Sequence, residues 1–111
     1  MIVLAEKKDL APIVQYQETD SFACRILCIA NMYGNYPFAD FWIQKQEETG
    51  HPTAYLSKMD GVITLFAHEN ADFGELCMFI KTIGASCMIC HASCAEQLHI
   101  TPARTGIIMK W

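Results

Sequence analysis

Residues 53–68, TAYLSKMDGVITLFAH, constrain the fold more than any other stretch of the chain. Two apolar runs flank Asp60 and Gly61, and an Asp-Gly pair accepts the positive φ angles of a type I′ turn. The reading is an antiparallel β-hairpin. A lone hairpin is marginal in water, so the rest of the chain must extend the sheet and cover it.

The flanking segments supply those elements. MIVLAE (1–6) reads as a short strand. Asp9 stands where a helix N-cap is wanted, with Pro12 in the first turn, where its missing N–H does no harm. Leu10, Ile13, Val14 and Gln17 give a weakly amphipathic helix to about Thr19. Ser21 caps a second helix, FACRILCIANMY, in which Phe22, Ile26, Ile29 and Met32 recur at helical spacing and Gly34 serves as C-cap. FADFWIQK (38–45) follows as a strand, then QEETGHP (46–52) as a loop. Past the hairpin, Asp72 opens a third helix with Glu75 in capping-box spacing, a buried stripe of Phe73, Leu76, Ile80 and Ile83, and Gly84 as its stop. ASCMICHA (85–92) reads as a buried strand, SCAEQLH as a short helix capped by Ser93, and TGIIMKW (105–111) as a last strand. The order β-α-α-β-β-β-α-β-α-β predicts an α/β (α+β) domain with a mixed, largely antiparallel sheet and helices on its faces.

At 111 residues the chain is expected to be one domain with a real core. Its 52% hydrophobic and 18% charged residues exclude a disordered segment and suggest extensive burial, or an apolar surface covered by another chain. A formal net charge of −4 and the lack of a basic stripe argue against a nucleic-acid partner. No apolar run is long enough to span a membrane. The N-terminus lacks a basic region, a long apolar region and a small-residue cleavage site, so a cytoplasmic location is expected. The six cysteines should then be free thiols or ligands.

Four potential metal ligands crowd into SCMICHASC, residues 86–94: Cys87, Cys90, His91 and Cys94. Cys-x-x-Cys-His is the attachment string of a c-type haem, but here it follows a helix stop rather than opening a helix, and no export signal precedes it. As a strand, the segment puts Cys87, Ile89 and His91 on one face and Met88 and Cys90 on the other. The two cysteines would diverge, and Met-Ile between them is a poor turn dipeptide. A four-thiolate zinc set joining Cys24 and Cys28 to Cys90 and Cys94, or a zinc or iron-sulfur module using the six cysteines, is a third reading, set against the ordinary role of cysteine as a small buried hydrophobe. No metal is the expectation. His68, His91 and His99 show no evident triad partner, and their bland reading is that of loop or strand-end histidines.

The element order, with FWIQ, AYLSKMDGVITL, DFGELCMFIKTIG and GIIMKW, resembles the GNAT acyltransferase superfamily, specifically the N-terminal half of acetyltransferases from anaerobic Gram-positive bacteria. In that superfamily an [Arg/Gln]-x-x-Gly-x-[Gly/Ala] loop between the fourth strand and the third helix holds the pyrophosphate of acetyl-CoA on backbone amides and a helix N-terminus. The corresponding stretch here, AHENADFGEL, has one glycine, Gly74, no Arg or Gln, and carboxylates at Glu69, Asp72 and Glu75. The cofactor-loop position at Asp72, Phe73, Gly74 and Glu75 therefore lacks the motif, and the carboxylates would serve the helix N–H groups instead.

What the resemblance implies is a GNAT-like domain at 1–111, an incomplete or N-terminal unit without the terminal portion that often supplies a Tyr general acid. It would be non-catalytic alone, with no cofactor, and would pack on a protein partner, either a second GNAT unit or a copy of itself. The alternative is an active acetyl-CoA-dependent N-acetyltransferase with a variant loop, in which Glu69 or His68 deprotonates the amine.

Overall fold

The computed structural model describes residues 1–33, 37 and 39–98. Its elements are β1 (Ile2–Leu4), a 3₁₀ helix (Lys7–Tyr16), α1 (Ser21–Tyr33), β2 (Ala39–Lys45), β3 (Pro52–Met59), β4 (Val62–Ala67), α2 (Phe73–Ile83), β5 (Cys87–Ile89) and α3 (Ala92–Gln97). This is an α+β fold. Gly34, His99 and the strand expected at residues 105–111 lie outside the described residues.

Asp60 and Gly61 turn with φ of 53° and 75°, the paired positive values of a type I′ turn. β3 and β4 consequently pair from Met59↔Val62 to Ala54↔Ala67. The sheet runs β1-β2-β3-β4-β5, with its first four strands antiparallel and β5 parallel to β4. Strand parity divides the core in two. On one face Phe41, Ile43, Tyr55, Phe66 and Ile89 pack under the 3₁₀ helix and α1. On the other, Ala54, Leu56, Ile63, Leu65, Met88 and Cys90 pack under α2 and α3.

Several helix boundaries differ from the sequence expectation. The first helix is 3₁₀ rather than α, because its core contacts recur every three residues. Leu10 and Ile13 are buried and Tyr16 packs against the same cluster, while Val14, read as inward, is 48% exposed. Asp9 is not its N-cap: that position is Glu6, whose N–H donates back to Asp9 Oδ2 at 2.9 Å. In α1 the cap is Asp20 rather than Ser21, since Asp20 Oδ1 accepts from the N–H groups of Phe22 and Ala23 at 2.9 and 3.1 Å. Met32, read as part of the buried stripe, is 64% exposed, and Ala23 and Ala30 take the inward places.

α2 begins and ends as expected, with Asp72 accepting from Glu75 N–H and the Gly84 N–H closing on Ile80 O. β5 covers only three residues, and His91 rather than Ser93 occupies the N-cap position of α3. Even so, the parity argument holds: Ile89 lies in the α1-side core, Met88 and Cys90 in the α2-side core.

Candidate functional site

Among the described residues, two places assemble polar chemistry. The first is the N-terminus of α2. Gln44, near the end of β2, is buried at 1% exposure, and its amide is used on every side. Nε2 donates to Asp72 O and Glu75 Oε1, both at 2.9 Å, while Oε1 accepts from the Thr53 hydroxyl at 2.7 Å and the Asp72 N–H at 3.0 Å. Asp72 Oδ1 accepts the Glu75 N–H, and Glu75 Oε1 also accepts from the Met1 amine at 2.9 Å. The capping box read from Asp72 and Glu75 is thus half formed. Asp72 caps as expected, but Gln44 takes the Asp72 N–H that Glu75 would have taken. Above this network lies a cleft of about 430 Å³ whose walls carry Glu47, Glu48, Asp72 and Glu75 against Lys45 and the Met1 amine. Four carboxylates there make an anion unwelcome.

The second place is the carboxyl ends of β4 and β5, which point the same way because the two strands are parallel. His91 Nε2 lies 2.6 Å from Asp20 Oδ2. A carboxylate can only accept, so Nε2 carries a proton, and in the neutral imidazole Nδ1 keeps its lone pair. Asp20 cannot swing away, because its other oxygen is held by two amides of α1. Phe22 packs edge-on against the imidazole at 4.3 Å between ring centroids. The Asp20 side chain is 17% exposed and that of His91 44%, so the ring is positioned and also reachable. Such a pair can move a proton at Nδ1.

Cys90 and Cys94 lie behind this pair in the α2-side core. Burial, with Cys94 beside it, pushes the Cys90 thiol up to about 12. Burial also raises Cys94, helped by the charge of Asp20 and opposed by hydrogen bonds from Ser93 and from the backbone at His91 and Ala67. Thiols held neutral in this way are poor nucleophiles.

The residues singled out from sequence fare unequally. His68 is half-buried in an aromatic cluster, 5.3 Å from Phe66, 5.4 Å from Tyr16 and 6.4 Å from Tyr55 between ring centroids. Glu69 is exposed on the following turn, with no hydrogen-bond or ion-pair partner among the described residues. The two do not form a pair. Phe73 packs into the α2-side core and Gly74 is exposed. Asp72 and Glu75 do come together, through Gln44. Sequence alone does not show the Asp20–His91 pair, because its members stand 71 residues apart; the one local signal is an Asp directly before a helical run, next to the equally suitable cap Ser21.

All six cysteines are free thiols. No group of three or more His, Cys, Asp or Glu side chains could hold a metal ion among the described residues. The four-thiolate set of Cys24, Cys28, Cys90 and Cys94 is therefore not assembled. Among the same residues no helix is long and apolar enough to cross a membrane. A scan of protein-family models, a search of curated proteins and a search of solved structures found no match to this chain.

Proposed function

We propose that this chain is a GNAT-like unit that does not hold acetyl-CoA as that superfamily does, and that it acts as a packing partner for a second GNAT unit or for another copy of itself. The carrying observation is the acidic, partly capped N-terminus of α2. Gln44 and Asp72 take the N–H groups of Asp72 and Glu75, and the cleft outside them is lined with carboxylates. The likeness to the superfamily rests on the resemblance already described, to which the order of four antiparallel strands and a parallel fifth adds support. The packing role draws on the high apolar content and on the outward Leu4, Met32 and Met78.

The test is a calorimetric and thermal-shift titration with acetyl-CoA. The expected result is no heat and no change in Tm at millimolar ligand. A saturable rise in Tm would overturn the reading, since a ligand that binds only the folded state must stabilise it. Light scattering tests self-association, and a clean monomer leaves only the second-unit form of the proposal.

A second reading is favoured by one observation, the reachable His91 held by Asp20 at the strand ends. In an acetyltransferase with a variant cofactor loop, His91 Nδ1 rather than His68 or Glu69 would take the proton from the amine as it attacks the thioester. This predicts release of free CoA in the presence of amine acceptors, lost in His91→Ala. No turnover in the unsubstituted protein would sink it.

A further inference from the structure

α1 carries a second pair of thiols, well separated in sequence from those behind His91. Cys24 and Cys28 stand four residues apart, so they share one helix face with Cβ atoms about 5–6 Å apart. Cys28 is exposed and Cys24 half-buried. Both line an open cleft of about 620 Å³, with Glu18, Thr19 and Arg25 around them. Arg25 also reaches inward, its Nε donating to the buried Thr64 hydroxyl at 3.0 Å.

The spacing selects what these thiols can do together. A disulfide needs Cβ atoms about 3.5–4.5 Å apart, closer than an intact helix allows at this separation, so the pair stays a dithiol while α1 is folded. A structural zinc ion needs four ligands, and no third donor joins the pair among the described residues. An ion bridging two sulfurs in line holds them roughly 4.6 Å apart, twice a typical metal–sulfur bond of about 2.3 Å, which fits the helical spacing after small rotations of the side chains. Soft thiolate ligands favour Cu(I) over the harder divalent ions.

The geometry points to Cys24 and Cys28 as a chelating dithiol site that takes one soft, two-coordinate ion of the Cu(I) class on the exposed face of α1. On binding, each sulfur releases its proton to solvent, two metal–sulfur bonds form and the ligands carried by the incoming ion depart. Copper keeps its oxidation state. The bis-thiolate complex of a monovalent ion is an anion, and the Arg25 side chain lines the same cleft. Because protons are displaced, binding tightens as pH rises. Cys24 deepens this dependence, since burial and the adjacent Cys28 raise its pKa.

The test is an anaerobic competition titration against a chromophoric Cu(I) chelator. The unsubstituted protein is expected to withdraw one equivalent of Cu(I), and Cys24→Ser and Cys28→Ser each to lose at least about 100-fold in affinity, the loss expected when half of a chelate is removed. Cys77→Ser and Cys87→Ser, at half-buried positions on other elements, should bind as the unsubstituted protein does. Equal affinity in Cys24→Ser or Cys28→Ser would overturn the proposal.

A second probe does not depend on the variants folding. Phenylarsine oxide condenses with two thiols, forming two As–S bonds and releasing water. Trypsin cuts after Arg25, between the two cysteines. An arsenic bridge therefore holds two tryptic peptides together in the mass spectrum. Arsenic found only on the 82–104 peptide, which carries Cys90 and Cys94, would count against α1 as the site.

Discussion

At the scale of single residues, Gln44 decides the character of the α2 N-terminus. Its position in β2 sends it to the face covered by α2, where a polar side chain survives only if its amide is fully used, and four hydrogen bonds use it. Gln44→Ala leaves the Asp72 N–H without its acceptor and opens a void. The expected cost is about 2–4 kcal/mol, combining a lost buried hydrogen-bond set with a cavity. Urea unfolding would show this as a lower midpoint at an unchanged slope. A change within about 0.5 kcal/mol, the range of ordinary surface substitutions, would mean that the network adds little. Asp72 and its capping role were legible in sequence because a cap is a local device. Gln44 was not, because its partners stand 28 and 31 residues further along the chain.

At the scale of elements, boundaries depended on which of two adjacent polar residues the helix used. Asp20 and Ser21 are both good N-cap types, and their neighbours on the chain do not choose between them. His91 does, because its bond to Oδ2 orients the Asp20 carboxylate toward the end of β5 while Oδ1 serves the helix. Asp20→Ala should therefore cost about 1–2 kcal/mol from the cap alone. Ser21→Ala, at an exposed position, should stay within about 0.5 kcal/mol. Chemical denaturation of both variants checks the pair, and equal effects would return the cap to Ser21. The same competition explains the 3₁₀ helix. Leu10, Ile13 and Tyr16 fit a three-residue repeat as readily as a helical stripe, and only contact with the sheet shows that Val14 faces out.

At the scale of the whole molecule, both cores hold buried ionisable groups, Tyr55 on the α1 side and Cys90 with Cys94 on the α2 side. Tyr55 in the α1-side core is pushed by burial from 10.0 to about 12, with Tyr16 adding to the shift, and Cys90 in the α2-side core is pushed from 9.0 to about 12. Both are acids whose folded pKa exceeds the unfolded one, so the folded state holds its protons longer. Their contribution is fully present below pH 9 and is lost as pH rises toward 12. Urea midpoints should accordingly stay level through neutral pH and fall progressively above about 9, where an ordinary thiol begins to ionise. Cys90→Ala, which leaves Cys94 and Tyr55 buried, should make that fall shallower without moving its start. A midpoint unchanged to pH 11 would show that neither group is as dry as its position in the core implies.

Local chemistry on the chain was enough for the hairpin, the three α-helices, the four antiparallel strands and the stop at Gly84, because turns, caps and apolar periodicity act over a few residues. It was also enough to send Met88 and Ile89 to opposite core faces, since parity in a strand is a local property. Tertiary structure alone decided the sheet order, the parallel seating of β5, the closure of α2 by Gln44 and the meeting of Asp20 with His91. Each of these joins residues far apart in sequence. Such pairings form only when burial of the two core faces offsets the loop-closure entropy.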